Sequence, residues 1–433
     1  MNRENQSTQR IPFTGKLGYA FGTISCSMSV ILATFITYFM TENLAIPIVT
    51  ASLVITLVKV LDGFTDVVGG ILVDNTRTRW GKARPWYLFM AIPYGVCTAA
   101  IFFISPEASL TTKIILVAVL DALTVSIFGT MLNVARYALI PLMSKDPKQQ
   151  ETISILSDGL LGVMGSVFVV VSNLFVYDLG YKKMFTIFSI AGVVLLVLAF
   201  LLIREQNDEV ERPRTEPVGQ LLKAIVQNRY ALTTLLIAFL MATAAGVVQL
   251  GGLYYFNNYL NNGQALSLTM LLSIVGGLVA LALLKQAFKV TEKVLGFSLL
   301  AAAVMYVLAY LIAGPTNPVA AIICMGLGLV FVMNCGFGCV GMLAAKVVDY
   351  GEWKLGKRTE GMVSTCANVG QKIGTALGTA LFGFVVGLGG FVEGGAQQTE
   401  TALQYVRFGY TLLPAIICVI AAVLYFLLWR VDK

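Results

Sequence analysis

Histidine is absent from this chain of 433 residues, and charged residues of both signs are scarce. The lack of histidine excludes imidazole metal ligands, histidine proton relays and Ser-His-Asp catalysis. Asp, Glu, Lys and Arg together make up 12% of the residues, against about 25% in an average soluble chain. Hydrophobic residues make up 57% of the chain, so the composition predicts an integral membrane protein.

The seven cysteines all fall in apolar runs and show no metal-site or disulfide spacing, which favours a helix-packing role. Without histidine, a cysteine–base pair or an appended soluble domain, we predict neither an enzyme nor a resident cofactor. The net charge of +7 does not predict a nucleic-acid partner, because the basic residues lie in short loops between apolar runs. Residues 1–16 are polar and do not resemble a signal peptide.

Twelve apolar runs are long enough to cross a bilayer as helices, which takes roughly 20 residues each. They cover about 17–40, 47–73, 86–104, 112–141, 153–177, 184–203, 230–260, 266–287, 294–313, 318–348, 360–390 and 406–430. The pattern predicts an all-α integral membrane protein. The partners that it predicts are the lipid bilayer and a small solute, and we expect a monomer.

A polar, proline-containing stretch at 204–229 separates six apolar runs from six others. It predicts two six-helix halves, 1–203 and 230–433, joined by a cytoplasmic linker in the pseudo-symmetric arrangement of major facilitator transporters. Lys and Arg are concentrated in the segments on the side of the N-terminus. The positive-inside rule therefore predicts a protein of the plasma (inner) membrane with both termini cytoplasmic.

The second apolar run carries Lys59, Asp62 and Asp66 at helical positions i, i+3 and i+7. A charge in the middle of a membrane costs about 2.5–3.5 kcal/mol even on lenient scales, so such charges are functional by default. Two carboxylates one turn apart predict a site for Na⁺, or for a proton that one of them carries. Thr65 and Thr130 can add neutral oxygens. The alternative is a structural pair neutralised by Lys59 or by protonation.

The fourth run places Asn133, Arg136 and Tyr137 on one helical face, which can present donors and an aromatic ring to a solute. An alternative for Arg136 is a helix-end side chain that snorkels toward the cytoplasm. Asp158, near the start of the fifth run, favours an inter-helical partner for a basic residue.

Lys372 is the one basic residue deep in the apolar runs of the second half, and it needs an acidic partner. We predict that it faces Asp62 and Asp66 and couples ion binding to the conformational change. Acidic and basic residues alternate in two cytoplasmic loops, which predicts ion pairs that close the inner gate; topological retention is the alternative. The predicted gate residues are Asp74, Arg77, Arg79, Arg84, Asp349, Glu352, Arg358 and Glu360.

Three stretches carry a resemblance to a known family: GKLGYAFG at 15–22, LDGFTDVVGGILVDNTRTRWGKARPW at 61–86, and VVDYGEWKLGKRTEG at 347–361. The chain resembles the glycoside–pentoside–hexuronide:cation symporters of the major facilitator superfamily. The second and third stretches are specific, and the resemblance runs in register over most of both halves.

The resemblance implies cation ligands at Asp62, Thr65, Asp66 and Thr130, and a coupling role for Lys372. It also places Lys59 on a span-two arginine of the family, and Tyr137 and Phe337 at aromatic positions of the solute site. The chain departs from the family elsewhere: Cys26-Ser27 replaces a Lys-Asp pair, Asn133 an aspartate, and Asp158 an arginine. The predicted solute-binding set is Cys26, Ser27, Lys59, Asn133, Arg136, Tyr137, Asp158 and Phe337.

These residues predict a secondary active symporter that couples entry of Na⁺ or H⁺ to uptake of a small organic solute, most simply a sugar or glycoside. No metal site is predicted beyond that for Na⁺. The alternative is an uncoupled facilitator or exchanger of an organic anion such as a hexuronide, because the family's sugar-binding acids at spans one and four are missing.

Overall fold

The structure of the protein is a computed structural model that describes residues 11–205, 229–290, 293–340, 343, 347 and 360–429. This part of the chain is helical, apart from loops and two isolated β-bridges. Its α-helices are α1 Phe13–Ser27, α2 Ser29–Glu42, α3 Ile48–Asn75, α4 Arg84–Ile101, α5 Leu110–Asp121, α6 Thr130–Met143, α7 Pro147–Leu202, α8 Arg229–Tyr254, α9 Gln264–Val290, α10 Val294–Ile312, α11 Pro318–Leu329, α12 Glu360–Leu388 and α13 Glu400–Leu428.

Ten helical segments within the described ranges are long and apolar enough to cross a membrane. This agrees with the predicted all-α membrane class. Two features account for the difference from the twelve runs of the sequence. Helix α7 covers two of those runs, and Gly180 interrupts it with a non-helical backbone at φ 73° and ψ 158°. Helix α4 is only 18 residues long and begins with the polar Arg84, so it is not among the ten.

The chain forms two compact units, and their boundary falls within α2 and α3. The first unit comprises Met1–Leu32 and Leu61–Pro213, and the second comprises Ala33–Val60 and Arg214–Lys433. The first unit therefore contains the Asp62 end of α3, while Lys59 and Lys372 belong to the second. The division into consecutive halves 1–203 and 230–433 remains a prediction.

Regular α-helical winding is interrupted inside several membrane helices. A turn at Met28 separates α1 from α2. π-helical segments occupy Ala122–Gly129 between α5 and α6, Tyr255–Tyr259 after α8, and Val330–Gly336 after α11. Such segments leave some backbone groups without their i−4 partner and are frequent at functional sites. The first of them ends directly before Thr130.

Glycines allow α8 and α12 of the second unit to pack backbone against backbone. A Cβ added at Gly246 would overlap the carbonyl of Thr375, and one added at Gly378 would overlap the carbonyl of Thr243. Small residues favour such close packing in membranes, where apolar burial gives no net drive for helix association. The glycine-rich run of α12 thus fixes the distance between these helices.

Asp146 caps α7, and its effect on stability depends on pH. Hydrogen bonds from the Gln149 side chain (3.1 Å) and the Lys148 backbone N–H (3.0 Å) hold the pKa of the Asp146 carboxyl below its ordinary value. A depressed folded-state pKa stabilises the fold above the unfolded value and ceases to do so as the pH falls through the folded pKa. We expect wild-type protein to melt above Asp146→Asn protein near neutral pH, and the difference to begin to shrink as the pH falls below about 3.8 and to vanish below the lowered pKa of the folded state. A difference that stays constant across thermal melts from pH 6 to pH 3 would contradict this role.

Candidate cation and solute sites

The first unit brings three of the predicted cation ligands together. The Thr130 hydroxyl donates a hydrogen bond to Asp62 Oδ1 over 2.6 Å. The hydroxyl oxygens of Thr65 and Thr130 lie 3.4 Å apart, and the Thr65 hydroxyl also donates to the backbone carbonyl of Asp62 over 3.1 Å. Asp66 follows one helical turn after Asp62 on α3 and is partly buried.

Close packing of α3 against α6 produces this arrangement. A Cβ added at Gly69 would lie 3.3 Å from Thr130 Cγ2 and 3.3 Å from Met131 Sδ, so a larger residue here would press on both side chains. Thr130 is 3% exposed. The site thus offers one carboxylate, two hydroxyls and a backbone carbonyl in a small volume. These are hard oxygen donors, which suit an alkali cation, and the carboxylate can alternatively carry a proton.

A second polar cluster lies on α6 and α7. Arg136 Nη1 donates to Ser157 Oγ over 2.6 Å and to Asp158 Oδ1 over 3.2 Å. The Tyr137 hydroxyl lies 3.5 Å from the same Asp158 oxygen, and the Arg136 guanidinium lies 4.1 Å from the centre of the Tyr137 ring. The predicted role of Asp158 as an inter-helical partner of a basic residue is confirmed.

Hydrogen bonds to α1 hold this cluster in place. Tyr19 donates through its hydroxyl to the Arg136 carbonyl over 3.1 Å, and the Thr23 hydroxyl lies 3.3 Å from Ser157 Oγ. The Arg136 side chain is 1% exposed, so it does not snorkel to a surface as the alternative interpretation held. Sequence reasoning missed Tyr19, Thr23 and Ser157, because isolated hydroxyls in apolar runs carry no pattern of their own.

The hydrogen bonds of the other predicted solute residues go to groups outside the cluster of Arg136, Tyr137 and Asp158. In the first unit, Cys26 and Ser27 are buried, and the Ser27 hydroxyl donates to the carbonyl of Ile24 over 2.7 Å. Asn133 Nδ2 donates over 3.1 Å to the carbonyl of Gly129, at the end of the π-helical segment. Within the second unit, Lys59 Nζ donates to Thr379 Oγ1 over 2.9 Å.

Phe337 directly follows the third π-helical segment in the second unit. Lys372 is partly buried on α12 of the same unit. Its predicted pairing with Asp62 and Asp66, which belong to the first unit, remains a prediction.

The basic loop between α3 and α4 is anchored within the first unit by Glu205. Oε1 of Glu205 accepts backbone N–H bonds from Ala83 (2.9 Å) and Arg84 (2.6 Å), and Oε2 accepts one from Lys82 (2.8 Å). Gly81 has φ +114°, and its missing Cβ leaves room for this carboxylate. A carboxylate at a helix N-terminus satisfies donors that would otherwise lack partners and complements the helix dipole. Sequence reasoning missed Glu205 because it lies more than a hundred residues from its partners.

Among the predicted gate residues, Arg84 donates from Nε to the Phe200 carbonyl over 2.5 Å and lies 4.5 Å from the centre of the Phe200 ring. Asp74, Arg77 and Arg79 are exposed, and the Arg79 guanidinium lies 4.7 Å from the centre of the Trp80 ring. Of the predicted acidic and basic partners, Asp349, Glu352 and Arg358 lie outside the described residues. Glu360 is the first residue of α12. The gate therefore remains a prediction.

We expect Glu205→Gln to loosen this loop, since the amide offers one acceptor where the carboxylate offers two charged ones. If the contact between Glu205 and the loop weakens by about 1.5 kcal/mol, the fraction of molecules in which the loop is detached rises roughly tenfold. The measurement is the rate of tryptic cleavage after Arg79 and Lys82; the bond after Arg84 precedes Pro85 and resists trypsin. Glu151→Gln, at an exposed position on α7, is the matched control. Equal cleavage rates in the two variants would exclude the anchoring role.

Many membrane-spanning helices in the described residues, a partly buried carboxylate–hydroxyl cluster and a charged pair between helices are the features of a multi-pass membrane transporter. A family model described as MFS/sugar transport protein matches residues 18–433, so the chain belongs to this family. The resemblance to glycoside–pentoside–hexuronide:cation symporters is thereby confirmed, because curated relatives bear such names.

Two of these relatives are similar over nearly their whole length. The chain is 24% identical to the isoprimeverose transporter of Lactiplantibacillus pentosus, over 98% of the chain and 90% of the relative. It is 28% identical to the putative glycoside/cation symporter YagG of Escherichia coli (strain K12), over 93% of the chain and 88% of the relative. Among solved structures, a D-xylose-proton symporter matches with a TM-score of 0.72 at 12% identity, covering 97% of this chain and 98% of that one, which shows the fold alone. These three proteins are all named as transporters.

Proposed function

We propose that the protein is a symporter that couples entry of Na⁺ or H⁺ to uptake of a neutral sugar or glycoside. The observation that carries this proposal is the contact between Asp62 and Thr130, with Thr65 beside them. The names of relatives that carry isoprimeverose or are called glycoside/cation symporters support the same solute class.

The proposed topology has twelve spans in two six-helix halves, with both termini cytoplasmic in the plasma (inner) membrane. The kink at Gly180 within α7 supports two spans there, and α4 matches the third apolar run. The protein works as a monomer and needs no cofactor and no nucleic-acid partner.

In the proposed cycle, the cation binds oxygens of Asp62, Thr65 and Thr130, with Asp66 one turn away. The Thr130 hydroxyl, which donates to Asp62 in the described geometry, turns its lone pairs toward a bound Na⁺; with H⁺ as the coupling ion, Asp62 itself takes the proton. The solute binds beside Asn133, Tyr137 and the Asp158 carboxylate.

Occupied sites then favour the inward-facing state, as the halves rock about the midplane. Lys372 takes part in the coupling of cation binding to this transition. The basic loop after α3 and the predicted loop at 349–360 form the cytoplasmic gate.

The alternative function is uncoupled facilitation or exchange of an organic anion. The observation in its favour is the buried Arg136 guanidinium, together with Cys26-Ser27 and Asn133 where the family's acids stand. Against it, Asp158 already balances the charge of Arg136.

The test is uptake into proteoliposomes loaded with buffer and given an imposed Na⁺ or pH gradient. Cation-coupled symport requires accumulation of a glycoside above its external concentration, which collapses when an ionophore dissipates the gradient. Equilibration without accumulation under both gradients would contradict symport and favour the alternative.

A further inference from the structure

The Arg136–Asp158 pair is asymmetric in its exposure. The Arg136 side chain is 1% exposed, whereas that of Asp158 is 54% exposed. The neighbouring Tyr137 is 50% exposed. The acid and the phenol therefore form an accessible surface, with the guanidinium behind it.

This surface must face water and not lipid. Asp158 is five residues inside the fifth apolar run, which begins at 153, or roughly 8 Å along α7 at 1.5 Å per residue. Exposing a carboxylate to acyl chains there is costly, and ionisable groups within membrane helices almost always face the protein interior or water-filled space. The solute pathway is the water-filled space that a transporter provides.

The buried guanidinium retains capacity for a further acceptor. Arg136 Nη1 is used by Ser157 and Asp158, but Nε has no hydrogen-bond partner among the described residues. A buried donor left without an acceptor costs free energy, but this Nε is itself enclosed, so a solute does not reach it in this conformation. The guanidinium therefore acts on a solute through its charge, which the Asp158 carboxylate offsets.

We infer that Asp158 makes this site select neutral over acidic solutes, by cancelling the charge of the buried Arg136. The inference rests on the proposed function and deepens it. With the pair intact, the site carries no net charge and presents a carboxylate that accepts hydroxyl hydrogens from a sugar. A uronic acid would bring a second carboxylate beside Asp158, and like charges at close range disfavour binding.

The first experiment compares matched solutes: p-nitrophenyl glucoside with p-nitrophenyl glucuronide, and the corresponding galactoside and galacturonide. Inhibition of uptake by each is measured in wild type, Asp158→Asn, the double variant Arg136→Gln/Asp158→Asn, and Asp178→Asn. Asp178 is an exposed acid on the same helix and serves as the control. Asp158→Asn should raise the preference for the acid over its neutral partner roughly tenfold, because it leaves one uncompensated positive charge. The double variant should return the preference to the wild-type range.

A second experiment needs no solute. Three variants are compared: Tyr137→Cys alone, Tyr137→Cys with Asp158→Asn, and Tyr137→Cys with both Asp158→Asn and Arg136→Gln. The labelling rate of the parent chain's own cysteines is subtracted from each. The ratio of labelling rates by an anionic and a cationic methanethiosulfonate reagent reports the local potential. That ratio should rise roughly tenfold with Asp158→Asn and fall back in the triple variant.

The outcomes separate this inference from the proposed function. If the wild type takes up no glycoside but the labelling ratio shifts as expected among the variants, the proposed function is contradicted and the charge compensation still holds. Normal glycoside uptake with an unchanged acid preference and an unchanged labelling ratio overturns the inference. Failure of both reagents to label Tyr137→Cys overturns it too, since the surface would then not face water.

Discussion

Asp62→Asn is expected to abolish cation-driven accumulation while the protein still folds and reaches the membrane. The variant keeps the shape of the side chain but removes the charge that the Thr130 hydroxyl and a cation share. A charge-assisted contact contributes about 2 kcal/mol, so its loss should lower the cation affinity by more than about tenfold. The measurement is solute accumulation in proteoliposomes under an imposed gradient, with cation titrations to obtain the apparent affinity.

Matched variants make this result specific. Thr130→Val removes the hydroxyl and should weaken the apparent cation affinity, whereas Thr130→Ser keeps it and should resemble wild type. Glu107→Gln alters an exposed acid in a loop and serves as the control. Undiminished accumulation by Asp62→Asn protein would exclude the assigned cation site.

The second large effect is on stability, at the crossing of α8 and α12. Gly378→Leu should destabilise the protein by about 1–3 kcal/mol or more, because the added side chain meets the Thr243 backbone, which cannot move aside as a flexible side chain can. The measurement is the thermal unfolding midpoint in detergent, together with the fraction of monodisperse protein.

Gly370→Leu is the control for this prediction. It lies two turns earlier on the same helix, and an added Cβ there meets nothing within 4 Å. It should therefore melt close to wild type. If Gly370→Leu and Gly378→Leu melted alike, close packing at Gly378 would not be what limits stability, and the prediction would fail.

The sequence alone predicted the all-helical membrane class and most helix positions, since long apolar runs have few alternatives in a bilayer. It also identified Asp62, because charges in such runs stand out, and Thr65 and Thr130 as neutral oxygens that match the family's cation ligands. The sequence separated two runs at the polar stretch 178–183, whereas the structure carries the helix α7 through that stretch with a kink at Gly180.

The contacts that orient these groups could not be predicted from the sequence. Ser157, Thr23 and Glu205 act through partners distant along the chain, and only the packing of helices brings them together. The exposure of Asp158 above a buried Arg136 likewise depends on helix rotation, which a π-helical segment upstream of Thr130 changes by adding residues to a turn.

The irregular windings described above recur with a period of three apolar runs. The turn at Met28 is in the first run, and the three π-helical segments are in the fourth, seventh and tenth. A turn that has already lost its regular i−4 bonds bends at less cost than intact helix. In the described part of the chain, each of these four runs therefore contains a turn that deforms at lower cost than the regular helix on either side of it. A conformational change that bends these helices would meet its lowest resistance at those turns.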